Sequence, residues 1–239
     1  MAVDPRPRPV SADDSRQAAT STMTRSTEGT SMMFSRQIPN SEFTSRPWRI
    51  HEILDDGYIL EDVWARPLPG GPDDLAIHVW NTTKPERPMS DFNPVVRFLF
   101  DVRWRLGGLL GWDSERQQVG KRVASLRDNL PEDLRAVRGP DMHITPFKSV
   151  YLTHDEWTAE FSGAMGHIVM HHGWVRDETG TYYPQMAALV KPHGLFGKVY
   201  MYGIAPLRRF VVYPLMFRTE SRQWPSVRQE WARRQPDTQ

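Results

Sequence analysis

Three histidines, His167, His171 and His172, stand close enough together to suggest shared chemistry. On a helix, His167 and His171 would share a face and could grip one metal ion, as the zincin motif does. The stretch from Met165 to Val175 reads instead as a strand, where a rise of about 3.3 Å per residue sets the two roughly 13 Å apart. That is too far for both to reach one zinc ion at about 2.1 Å. Position 168 is also Ile, not the Glu a protease motif requires. Alternation puts His167 and His171 on one face with Met165, Val169 and Val175, and His172 on the other with Ile168, Met170 and Trp174. The pattern does not say which face is concave. We favour His167 and His171 as pocket residues. An unperturbed pKa of about 6.5 suits a pocket histidine to acid–base work without any cofactor. The plainer reading is that one or two of the three histidines line the inner face of the sheet, hydrogen-bonded and partly buried.

Gln185 lies on a strand among Met186, Ala187, Ala188 and Leu189. It is either an edge-facing polar residue or a pocket donor and acceptor, since a buried amide needs partners. Asp155-Glu156 and Asp73-Asp74 read as turn and cap residues. Gly107, Gly108 and Gly111 do not match a phosphate loop, and Gly107 and Gly111 suit close packing of a helix. Tyr200, Met201, Tyr202, Phe210, Tyr213, Met216 and Phe217 would line an apolar cavity or fill a core. Lys198, Arg208, Arg209, Arg218 and Arg222 are mixed among them, a composition that also suits a helix at a membrane surface or in a partner's groove.

The elements that must position these residues follow from periodicity and turn chemistry. Tyr58 to Arg66 reads as a strand that stops at Pro67-Leu68-Pro69-Gly70-Gly71-Pro72. Leu75 to Trp80 fits strand or helix. Val95, Leu99, Val102, Leu106 and Leu109 or Leu110 recur at helical spacing, which predicts an amphipathic helix from Pro94 to Trp112. A second helix is expected from about Ser114 to Asn129, stopped by Pro131. Phe147–Leu152, Trp157–Ser162, Met165–Val175 and Thr181–Lys191 read as an antiparallel meander. Asp177-Glu178-Thr179-Gly180 makes its last hairpin loop. Leu195 to about Trp231 reads as helix, kinked near Pro206, Pro214 and Pro225.

Residues 1–46 read as a disordered tail and 47–235 as one domain. The tail combines Asp4-Pro5-Arg6-Pro7-Arg8-Pro9 with a Ser/Thr-rich stretch and offers little apolar surface to offset the entropy of ordering. A formal charge of +1 lacks the basic excess of a nucleic-acid binder. No cysteine is present, so thiolate metal sites and cysteine nucleophiles are excluded, and a reducing cytoplasm fits. No apolar run of about 18 residues suggests a spanning helix.

Several blocks carry a family resemblance: Arg103-Trp104-Arg105-Leu106-Gly107-Gly108-Leu109-Leu110-Gly111-Trp112-Asp113, Ser125 to Pro131, Gly173-Trp174-Val175, Gln185-Met186-Ala187, Val190-Lys191-Pro192, Gly194 to Met201 and Val212-Tyr213-Pro214. In these the sequence resembles a bacterial family, domain of unknown function 2867, which is similar to the START-like (SRPBCC, helix-grip) superfamily of polyketide cyclases and lipid-transfer proteins. The resemblance implies an α+β fold, a curved antiparallel sheet wrapped on a long C-terminal helix. It further implies a hydrophobic or amphipathic small molecule bound between the two, and a relation to epimerase-like or short-chain dehydrogenase proteins. Candidate ligand-binding residues are then Arg103, Trp104, His167, His171, Gln185, Tyr200, Met201 and Tyr213. Chemistry, where present, would be cyclase-like or hydrolytic. The alternative is a non-enzymatic interaction module acting through the basic, aromatic C-terminal helix.

Overall fold

The computed structural model describes residues 35–85, 91–112, 114, 116 and 118–235. Its elements run β1 (Arg36–Ile38), α1 (Ser41–Thr44), β2 (Ile59–Ala65), α2 (Leu75–Thr83), α3 (Pro94–Leu109), α4 (Glu132–Arg135), β3 (Lys148–Leu152), β4 (Glu156–Gly163), β5 (Gly166–Arg176), β6 (Tyr182–Pro192), α5 (Gly194–Leu207) and α6 (Tyr213–Arg234). Short 3₁₀ turns cover Arg49–Glu52 and Leu126–Asn129, and a π turn, Arg208–Val212, joins α5 to α6.

The six strands make one antiparallel sheet in the order β1-β2-β6-β5-β4-β3. Local turns fix the meander. Between β5 and β6 the Asp177 carboxylate accepts from the Thr179 and Thr181 amides, and Gly180 takes φ 89°, a conformation open to glycine without a Cβ penalty. The pairing of β2 with β6 is non-local. A bulge between Leu60 and Asp62 resets the alternation of β2, so Asp62 and Trp64 point to one face and Val63 to the other.

Both faces of the sheet are covered. On one, Val63, Val169, Val175, Ala187 and Leu189 meet Phe43, Trp48, Ile50 and Ile53 from the N-terminal segment and Leu126, Leu130 and Leu134 from the segment before β3. On the other, α2 packs Leu75 and Val79 on Trp157, Ala159 and Trp174, while α6 packs Tyr213 and Phe217 on Trp64 and Met186. Burying a side chain such as Phe217 contributes about 1.5–3 kcal/mol.

Several sequence expectations are refined. Leu75–Trp80 is helical. Among the described residues, the expected helix from Ser114 to Asn129 gives way to a 3₁₀ turn over Leu126–Asn129, whose capping box pairs Ser125 with Asp128; Gly120 upstream takes φ 83°, which a helix does not use. Of the expected tail, residues 1–34 lie outside the described residues. Residues 36–44 are folded instead: β1 pairs with β2 and Phe43 is buried, so the expected boundary at residue 46 falls inside the folded region.

α5 leaves the sheet at close quarters. A Cβ on Gly197 would sit 2.1 Å from the carbonyl oxygen of Met165, whereas one on Gly203 would meet nothing within 4 Å. Gly197→Ala should therefore lower stability by about 1–3 kcal/mol through overpacking. Gly203→Ala should raise it by up to about 1 kcal/mol through helix propensity. Urea denaturation of both variants checks this, and equal effects would overturn it.

Candidate functional site

On β4 the residues Glu156, Thr158, Glu160 and Ser162 all point to the face under the N-terminal segment, and all four are buried. Across the pairing with β5 they meet His171 and His167. Two carboxylate–imidazole pairs result. His171 Nε2 lies 2.9 Å from Glu156, which also accepts from the Tyr151 hydroxyl at 2.8 Å and the Arg49 amide at 2.8 Å. His167 Nε2 lies 2.9 Å from Glu160, which accepts from the Ser125 hydroxyl and the Leu126 amide, while Nδ1 of His167 lies 2.6 Å from the Tyr58 hydroxyl.

Burial works against charge on Glu156, but the bonds from His171, the Arg49 amide and Tyr151 outweigh it and hold the carboxyl below its ordinary range. Burial pushes His171 down, against the opposing pull of Glu156. The pair is thus a carboxylate and a neutral imidazole donating its Nε2–H. Its Nδ1 meets no hydrogen-bond partner among the described residues and is walled by Phe43 and Trp48, with ring centroids 5.2 and 5.1 Å away. Burial, with Asp55 and Glu160, raises Tyr58. A neutral imidazole beside a carboxylate has the form of a general base. Yet His171 and His167 are both fully buried, so these pairs act in this conformation as internal struts.

The opposite face holds a second polar cluster. Arg66 donates to Glu220 of α6, and its other terminal nitrogen lies 3.1 Å from His78 Nε2 and 3.2 Å from His172 Nδ1. Arg66 also sits over the Phe217 ring, 5.1 Å from its centre. Burial first, then the Arg66 charge, drives His172 well below its ordinary pKa. Nearby, the bulge aims Asp62 at Arg208, 2.7 Å away, which ties the π turn to the sheet.

These contacts split the sequence-predicted site. His167, His171 and Gln185 lie under the N-terminal segment, whereas Tyr213 lies under α6 on the other face. The pocket expected between sheet and C-terminal helix is filled there by Trp64, Met186, Tyr213 and Phe217, with ring centroids 5.4–5.7 Å apart. Gln185 is fully buried in a central strand, its amide nitrogen 3.5 Å from the Glu42 carbonyl. Arg103, Trp104 and Tyr200 gather elsewhere, at the α3–α5 end. Arg103 reaches Met165 and sits over Trp112, which packs on Phe196 and Tyr200, while Trp104 stacks on Phe100. Met201 is buried beneath α5.

α5 is apolar on both sides. Gly197 and Met201 turn inward, while Leu195, Val199 and Tyr202 stand exposed at helical spacing, followed by Leu207 and Phe210. Tyr202 is 86% exposed and Phe210 79%. No helix is long and apolar enough to cross a membrane among the described residues.

A family of proteins of unknown function, domain of unknown function 2867, matches residues 54–215. The chain belongs to this family. No curated protein and no solved structure matches it. In this family member the match spans β2 through α5, including Glu156, Glu160, His167 and the exposed face of α5. It leaves out Phe43, Trp48 and Glu220.

Sequence reasoning missed Glu160 and set Glu156 aside as a turn residue. The signal was present: Glu156, Thr158, Glu160 and Ser162 alternate strictly with Trp157, Ala159 and Phe161. Such a polar face reads as solvated unless the register against His167 and His171 is known.

Proposed function

We propose that the domain is a non-enzymatic binding module that attaches to an anionic lipid surface through α5 and the π turn. The single observation that carries this is the exposed row Leu195, Val199, Tyr202, Leu207 and Phe210. Exposed apolar surface of this extent on one element marks an interaction site. From His193 to Thr219 the chain carries Lys198, Arg208, Arg209 and Arg218 and no acidic residue. Arg208 and Arg209 are engaged by Glu61 and Asp62, whereas Lys198 and Arg218 are exposed. Each basic group near an anionic leaflet adds about 1 kcal/mol, screened by salt. The setting we infer is the cytoplasmic side of a membrane. We also infer a helix-grip fold: β2 beside the last strand β6, and a long final helix packed on the sheet, support it.

A hydrophobic small molecule is the second reading, and the Arg103, Trp112, Phe196 and Tyr200 cluster favours it. Sedimentation with vesicles separates the two. Binding to phosphatidylcholine vesicles containing phosphatidylglycerol should fall at least tenfold in the double variant Tyr202→Glu/Phe210→Glu, with unchanged circular dichroism, and should weaken with salt. Absence of the protein from vesicle pellets at low salt would sink the membrane reading. Stoichiometric uptake of a monomeric fatty acid by such a protein would favour the small molecule.

A further inference from the structure

α3 presents two faces. Asn93 caps its start by accepting from the Val95 amide, and Val96 and Gly107 turn inward and are buried. On the far side Val95, Phe98, Val102, Leu106 and Leu109 are all exposed, Phe98 by 64% and Leu109 by 83%. At 3.6 residues per turn these five fall within an arc of about 80° along the whole helix. One exposed leucine is ordinary; an unbroken stripe is an interaction surface.

The spacing of the stripe is three, four, four and three residues, so it reads the same in both directions about Val102. We propose that two copies of this chain pair through α3, antiparallel, about a twofold axis at Val102. A twofold interface must be complementary to itself. When the second helix is reversed about Val102, positions equally distant from it come opposite one another. Phe98 then packs on Leu106 of the partner subunit, Val95 on Leu109 of the partner subunit, and Val102 on Val102 of the partner subunit.

The charges agree with the same axis. Asp101 and Arg105, one turn apart, lie on one flank of the stripe. A perpendicular twofold axis sets like flanks together with their directions reversed. Asp101 thereby comes beside Arg105 of the partner subunit, and the contact occurs twice. Covering the stripe on both copies removes on the order of 1,000 Å² from water, about the least a specific interface needs. This surface is separate from the exposed face of α5, so the pairing does not rest on the lipid reading.

Sedimentation velocity of the full chain across a micromolar series tests it. The wild type should move from one copy of 27.7 kDa towards two as concentration rises. Val102→Glu should remain a single copy with unchanged circular dichroism, and Tyr202→Glu on α5 should still pair. Asp101→Arg and Arg105→Asp should each weaken pairing severalfold, and the double exchange should restore it. The chain has no cysteine, so Val102→Cys gives an unambiguous probe: mild oxidation should join two copies through that position. A wild type that stays single at every concentration would overturn the proposal. So would pairing that survives Val102→Glu, or pairing in which Val102→Cys does not cross-link.

Discussion

Glu220→Ala should destabilise the protein by about 3–5 kcal/mol, because it leaves a guanidinium buried without its carboxylate. Arg66 and Glu220 are 4% and 6% exposed, and the pair joins the end of β2 to α6. For a folded region of this size, about 2–4 °C per kcal/mol gives a melting temperature lower by roughly 6–20 °C. The expected remedy separates this cause from lost packing. Replacing both residues, Arg66→Met with Glu220→Leu, removes the charge and the carboxylate together and should recover most of the loss. Thermal and urea denaturation of the two singles and the double give the coupling directly. A double variant as damaged as the sum of the singles would show that the ion pair is not what holds α6 there.

Stability should fall steeply as pH drops below about 6.5. His171 and His172 are both fully buried, and burial is the first cause of the lowered pKa in each. The unfolded chain takes up a proton on each histidine as pH passes its ordinary value of 6.5. The folded chain does so only at its own lower pKa. Between those limits the unfolded state binds more protons, so acid favours unfolding by about 1.4 kcal/mol per pH unit for each histidine. Glu156 acts further down. Its lowered pKa stabilises the fold above the ordinary value of 4.5, and that contribution is lost as pH falls through the folded value. Urea denaturation at pH 8, 7, 6 and 5 should give a flat top and then a slope. His172→Gln should reduce the slope by about half, whatever its effect at pH 8. Stability unchanged between pH 7.5 and 5.5 would mean that both imidazoles reach solvent, and half the expected slope that one does.

Periodicity and turn chemistry made the meander legible. Asp177 to Gly180 announces its hairpin, and β3 to β6 end within a few residues of where alternation stops. The α3 helix was legible from its apolar spacing. Leu75 to Trp80 was ambiguous because a short apolar run fits either state; its packing on Trp157 and Trp174 selects the helix. Phe43 reads as part of the tail because so little apolar sequence surrounds it, and only the pairing of β1 with β2 brings it under the sheet. The candidate site divided for a related reason. Alternation correctly grouped His167 with His171, but strand order and helix placement are tertiary facts, and α6 covers the His172 face. A Cβ on Gly173 would lie 2.5 Å from the Trp48 ring, a fit between residues remote in sequence that composition does not announce.

The non-local pairing at the centre of the sheet has a consequence during synthesis. Ala65 bonds in register to Gln185, and these residues are 120 positions apart. A ribosome adding about 5–20 residues per second needs roughly 6–24 s to deliver one after the other. Throughout that interval Val63 and Trp64 have β1 beside them on one edge, through Ile38 and Gln37, and no strand on the other. The nascent chain therefore displays one open strand edge for seconds before β6 arrives, the kind of exposed edge that favours aggregation.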